Sequence, residues 1–89
     1  MRAALICIDK PNALEVRLAN RAAHLEYLKT TGVVEMAGPF LDGEAMVGSL
    51  LVLEVESLEA ARTWAANDPY AKAGLFASVD IRAWKKVIG

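Results

Sequence analysis

Arg17, Arg21 and His24 follow one another at steps of four and three within the segment 12–31. On a helix this spacing stacks them along one side, and the row runs on into Leu28, at the edge of the face that should be buried. Two guanidinium groups and the chain's single histidine in such a row predict a pocket for a small anion with a proton-transfer group beside it. Arginine's planar fork suits a carboxylate or a phosphate. Arg21 falls near the centre of the apolar stripe, where an unpaired guanidinium is costly, so it requires a carboxylate or a bound anion. Arg17 lies nearer the edge, and structural ion pairing with Asp9 or a glutamate explains it equally well. A lone helical histidine is more often a satisfied, partly buried ring than a reactive one. Its two cationic neighbours tip the balance towards chemistry.

Asp68 is the second anchor. It stands at the C-terminal end of a predicted helix, where the dipole disfavours an anion, so helix stability does not explain it. Its plain reading is a turn former before Pro69. Its functional reading is a partner for His24, because a carboxylate on one ring nitrogen fixes the tautomer and leaves the other nitrogen free to move a proton. Ser49, after Gly48 at the start of a strand, is placed to orient a substrate, although a strand-end serine is commonplace. Gly38, Pro39 and Tyr70 complete the expected substrate-binding set. Tyr70 is also, with Trp64 and Trp84, a candidate for the core or for a dimer contact, since no basic strand face surrounds these rings as nucleic-acid stacking requires. There is no glycine-serine-glycine nucleophile elbow, no ligand set typical of zinc, and no phosphate loop or dinucleotide fingerprint. Neither a metal nor a cofactor is expected.

The elements that must position these residues can be read from periodicity. Residues 3–8 form a strand covered on both faces. Asn12 is expected to cap the helix that follows, with Glu15 three residues on as in a capping box. Leu14, Leu18, Ala22, Leu25 and Leu28 supply its buried stripe, and Gly32 ends it in the left-handed conformation. Residues 33–37 read as a second strand stopped by Gly38-Pro39, residues 40–46 as a loop, and residues 48–56 as a third strand. Ser57 caps a second helix over 58–67, with Leu58, Ala61, Trp64 and Ala65 inward. Asp68-Pro69-Tyr70 breaks it, residues 71–75 connect, and residues 76–87 form the last strand. The order βαββαβ, with right-handed crossovers, is the ferredoxin-like arrangement: an α+β fold with an antiparallel four-stranded sheet and two helices on one face. The first and third strands carry apolar residues on both sides, so the sheet face without helices asks for a second sheet, predicting a homodimer packed face to face.

Size and composition narrow the field. At 89 residues the chain is one domain, and its 55% hydrophobic content is high for so small a body. The net charge of −1 comes with no basic block, which argues against nucleic acid or an acidic membrane as partner. Cys7, the only cysteine, reads as a buried structural thiol. With no disulfide framework, no signal-peptide pattern and no run approaching a membrane span, a cytoplasmic setting is expected.

The ordered fragments resemble those of the YciI-like (YCII-related) proteins, a family within the dimeric α+β barrel superfamily. The resemblance covers essentially the whole chain. It rests on Asp9, Leu14-Glu15-Val16-Arg17, Arg21-Ala22-Ala23-His24-Leu25, Ala37-Gly38-Pro39, Gly48-Ser49, Ser57-Leu58-Glu59-Ala60-Ala61, Trp64-Ala65, Asp68-Pro69-Tyr70, Ala73-Gly74 and Lys85-Lys86-Val87. It implies a ferredoxin-like fold, a dimer, and an active site built on a histidine–aspartate pair, which maps onto His24 and Asp68. Arg17, Arg21 and Ser49 stand where the family keeps matching types. The loop 40–47 looks shorter than in many relatives, which bears on substrate choice. Related barrels include isomerases, lyases and monooxygenases that use no cofactor. The resulting expectation is a cofactor-independent, isomerase- or lyase-like enzyme acting on a small carboxylated molecule. His24 serves as acid/base, Asp68 orients it, and Arg17, Arg21 and Ser49 hold the substrate. The alternatives are a non-catalytic dimeric protein that binds a small anion or assists an enzyme, and a purely structural Arg21–Asp68 pair between the helices.

Overall fold

A computed structural model describes all 89 residues. The chain runs β1 (Arg2–Asp9), α1 (Leu14–Thr31), β2 (Val34–Asp42), β3 (Ala45–Glu54), α2 (Leu58–Ala66), α3 (Pro69–Lys72) and β4 (Phe76–Trp84). The four strands form one sheet in the order β2-β3-β1-β4, and every neighbouring pair is antiparallel. This is the ferredoxin-like α+β fold. Leu5 lies opposite Leu51, and Cys7 opposite Ser49. Because side chains alternate along a strand, Ala3, Leu5, Cys7, Ser49, Leu51 and Leu53 share the helix-bearing face. The core joins the apolar members of that row to Ala61, Trp64 and Ala65 of α2.

α2 follows the predicted pattern. The Ser57 hydroxyl accepts from the Ala60 N–H at 3.0 Å, and Ala61, Trp64 and Ala65 are buried. α1 departs from it. Asn12 does not cap the helix: it takes φ 58°, the cap position falls on Ala13, and no side chain bonds the first turn. The turn after Pro11 needs a left-handed residue, which asparagine tolerates better than most. The leucine stripe is also not buried. Leu14, Leu18 and Leu25 are exposed, Leu18 by 53%, and the buried residues of α1 are Arg17 and His24. The helix is turned by roughly one residue's step, about 100°, so the polar row faces the sheet and the leucines flank it. Periodicity counts apolar area alone; it does not see that Arg17 and His24 find buried partners.

The edges of the sheet differ as well. β2 does not stop at Gly38-Pro39 but continues to Asp42, with Pro39 opposite Ser49. As β2 is an edge strand, the missing proline N–H costs no ladder bond. The expected loop 40–46 is therefore a hairpin, closed around Gly43 at φ 61°. The connector after Asp68 holds the single turn α3, and β4 ends at Trp84, short of Lys85-Lys86.

Candidate active site

Arg17 enters the site from the first half of α1 and is 3% exposed. Its Nε donates to Asp9 Oδ2 at 2.8 Å and its Nη2 to Asp9 Oδ1 at 3.0 Å. Nη2 also donates to Ser49 Oγ at 2.8 Å. β1 ends on Asp9 and β3 carries Ser49, so one guanidinium ties the helix to the two central strands. Burial works against the Arg17 charge, but the hydrogen bond and the negative charge of Asp9 outweigh it and raise its pKa above the ordinary value. Ser49 accepts from Arg17, which leaves its own O–H free to donate elsewhere.

Two turns along α1, His24 Nδ1 meets Asp68 Oδ1 at 2.8 Å, and both side chains are buried. A carboxylate only accepts, so Nδ1 carries the hydrogen and Nε2 is the unprotonated nitrogen of the neutral ring. Asp68 is itself fixed: the same oxygen accepts from the Tyr70 N–H at 2.9 Å, capping α3. The aspartate thus sits at the start of a helical turn as well as the end of one. The dipole objection raised from the sequence is removed, and its turn-forming and His-pairing roles coexist.

Tyr70 occupies the space between the two polar groups. Its ring stacks on His24 with centroids 3.8 Å apart and 12° between planes, Arg17 Cζ lies 4.8 Å from its centroid, and Phe76 meets it edge-on. Burial raises the Tyr70 pKa, with Arg17 and Arg21 pulling the other way, so the phenol stays neutral and able to donate. Beneath these groups Cys7 is pushed up to about 12 by burial and by the carboxylates of Asp68 and Asp9, which makes it an inert thiol at neutral pH.

These side chains surround a cavity of about 180 Å³. Its polar wall is Arg17, Arg21, His24, Ser49 and Tyr70; Leu25, Leu28, Met46 and Leu51 line the remainder with Ala37, Gly38 and Pro39 of the edge strand. Every residue singled out from the sequence lies on this wall except Asp68, which stands behind His24. An apolar cavity of about 150 Å³ accommodates a benzene ring, so the space suits a molecule of about one substituted ring. Arg21 differs from expectation. It is exposed rather than central in a buried stripe, and it forms no ion pair within the chain. The proposed Arg21–Asp68 strut does not form, because Asp68 is taken by His24. Sequence reasoning missed Met46 as a site residue and named Asp9 only as one possible ion-pair partner of Arg17 and among the residues that carry the family resemblance. Asp9 was signalled by its place at the end of an apolar strand. Met46 carried no signal, because its direction depends on strand register.

The chain is similar to known proteins over most of its length. The sequence pattern of the YCII-related domain matches residues 1–85. Protein YciI of Escherichia coli O6:H1 is 40% identical, over 89% of this chain and 91% of that protein. The derivative of benzaldehyde biosynthesis cluster protein C of Emericella nidulans is 40% identical, over 68% of this chain and 74% of that one. Among solved structures, the 5-chloro-2-hydroxyhydroquinone dehydrochlorinase of Burkholderia phenoliruptrix AC1100, in complex with 2,5-dihydroxybenzoquinone, superposes with a TM-score of 0.87 at 37% identity, covering 96% of this chain and 94% of its own.

Proposed function

This chain belongs to the YCII-related domain family, and from that premise we propose that it is an enzyme of acid/base chemistry on a small anionic molecule, of the isomerase or lyase kind. The observation that carries this reading is the buried 2.8 Å contact between His24 Nδ1 and Asp68, which leaves Nε2 as the free nitrogen of a residue on the cavity wall. In the proposed reaction Nε2 removes a proton adjacent to a carbonyl or enolisable oxygen. Asp68 holds the ring in position and stabilises the imidazolium that results. The Ser49 O–H and the cationic edge of Arg17 and Arg21 stabilise the oxyanion that develops. The electron pair then either expels a leaving group, completing an elimination, or is reprotonated by His24 at another carbon, completing an isomerisation. No group beyond the chain's own side chains enters these steps. The dehydrochlorinase supports the elimination branch, since loss of HCl from a hydroxylated ring is chemistry of this class. The small cavity supports a carboxylated or enolic ring as substrate. The reading includes a homodimer whose sheet faces pack together.

The test is chloride release from 5-chloro-2-hydroxyhydroquinone, together with solvent-deuterium exchange into a panel of small enolisable carboxylic acids. His24→Gln should abolish the proton transfer that wild type performs, and Asp68→Asn should slow it by about 10²–10⁴-fold. A folded His24→Gln protein with wild-type turnover refutes the mechanism. The rival reading, an anion-binding or accessory protein, draws support from Arg21, a cation on the cavity wall without a partner. It predicts that the acids bind, that binding weakens in Arg21→Gln, and that no exchange occurs in any variant.

A further inference from the structure

A β-bulge governs one wall of the cavity. Phe40 pairs with Gly48 and Leu41 with Met46, so Val47 is an extra residue in β3 with no opposite number. In an unbroken strand Met46 would share the side of Gly48, Leu50 and Val52, away from the helices. The extra residue reverses the alternation and turns Met46 back over the helix-bearing face, as bulges beside functional sites commonly do. There it lines two cavities: the one that holds His24, and a second of about 270 Å³ under the β1–α1 turn, with Ala13, Leu14, Ala45 and Val47 on its apolar side and Lys10 and Asn12 among its polar residues. The Arg17–Asp9 pair spans the same boundary, with Arg17 on the first wall and Asp9 on the second. The ion pair is held by two hydrogen bonds and buried, so it is a fixed part of the divide. Met46 is the half-buried part, with an unbranched thioether that repacks at low cost.

We propose that Met46 is a movable partition that sets the length of ligand the site accepts, and that the second cavity is a subsite for a short apolar substituent carried by an anionic ring. With Met46 across the opening the site holds a single ring. With Met46 swung aside, the substituent enters along the apolar side of the pocket, formed by Ala13, Leu14, Ala45 and Val47, with Asp9, Lys10 and Asn12 on its polar rim, while the ring's anionic end stays at Arg21. This rests on the proposed reading only in taking the first cavity as the ring's place.

The probe is a series of benzoate, 4-ethylbenzoate and 4-butylbenzoate, followed by methyl NMR on leucine-labelled protein. Leu28 lines only the first cavity and Leu14 only the second, which makes them separate reporters. Benzoate should shift Leu28 and leave Leu14 still in wild type, Met46→Ala and Met46→Phe alike. In Met46→Ala, 4-butylbenzoate should shift both and bind about tenfold more tightly than to wild type, since the added methylenes leave water. In Met46→Phe its affinity should fall below that of wild type by a similar factor. If the benzoates bind and the ratio of butyl to parent affinity is the same in all three proteins, or Leu14 stays silent in Met46→Ala, the partition is disproved and the acid/base reading survives. If no benzoate binds wild type, the anionic-ring site and the partition fall together.

Discussion

Arg17 is a charge that the interior has to accommodate before it can use it. Its fork is filled on one edge by Asp9 and at one tip by Ser49, and all three side chains are largely withdrawn from water. Arg17→Met would strand the Asp9 carboxylate in that setting, and we expect a loss of about 3–5 kcal/mol in urea unfolding. Arg21→Met, which breaks no internal ion pair, should leave stability within about 0.5 kcal/mol while weakening anion binding. The contrast between the two curves separates the structural arginine from the free one. Cys7 supplies a pH prediction. Its thiol is held up to about 12 against an ordinary value of 9.0, so between those limits the folded chain keeps a proton that the unfolded chain has lost. Stability should therefore fall as pH rises above about 9, and Cys7→Ala should flatten that slope. At this scale the sequence was largely readable: helical spacing stacked Arg17 with His24, and Asp68 was named as a partner for His24, although the dipole argument behind that choice fails because Asp68 also caps α3. The two arginines exchanged only their burial, because it was inferred from leucine positions and one step around the helix reverses it; Arg17 takes the Asp9 pairing that was one of its two readings.

The elements show why residue types were easier to read than their surroundings. α2 matched its pattern because its inward residues are all apolar and its cap is local. α1 did not, because its inward face is completed by partners on β1, β3 and α3 that are distant in sequence. Pro39 was read as a stop, since its pairing on an edge strand depends on where β2 lies in the sheet. The bulge at Val47 is set by the register between β2 and β3 and leaves no compositional trace. Gly48, beside that bulge, lies close against β1: a Cβ there would run into the Cys7 carbonyl oxygen and crowd the Phe40 ring. Backbone cannot yield as a flexible side chain does, so Gly48→Ala should cost about 1–3 kcal/mol. It should also weaken anion binding, because Ser49 follows directly and would be displaced from Arg17. A Gly48→Ala protein of wild-type stability would show that the strands part more easily than their packing implies.

As a whole molecule, the chain has one face that its own elements leave bare. The side of the sheet opposite the helices carries Ile8, Met36, Leu50 and Trp84, with Met36 53% and Trp84 42% exposed. No helix of the fold is long and apolar enough to cross a membrane, so a lipid-spanning helix does not account for the excess of apolar residues. The homodimer proposed above predicts a solution mass twice the 9.6 kDa of the chain. Leu50→Lys, in the middle of that face, should reduce it to the single value; light scattering at micromolar concentration decides. The apolar residues on both sides of β1 and β3 made this face legible in the sequence. The helix-bearing side holds a different lesson. α1 buries no large apolar side chain fully; its two buried residues are the ones that also do the proposed chemistry. The same atoms serve as fastener and as tool. Drift that erodes the tool therefore loosens the helix, and selection for folding alone keeps watch over the site. A descendant that had abandoned the activity and still folded would have to refit the joint, with hydrocarbon at positions 17 and 24 and no acid left at positions 9 and 68.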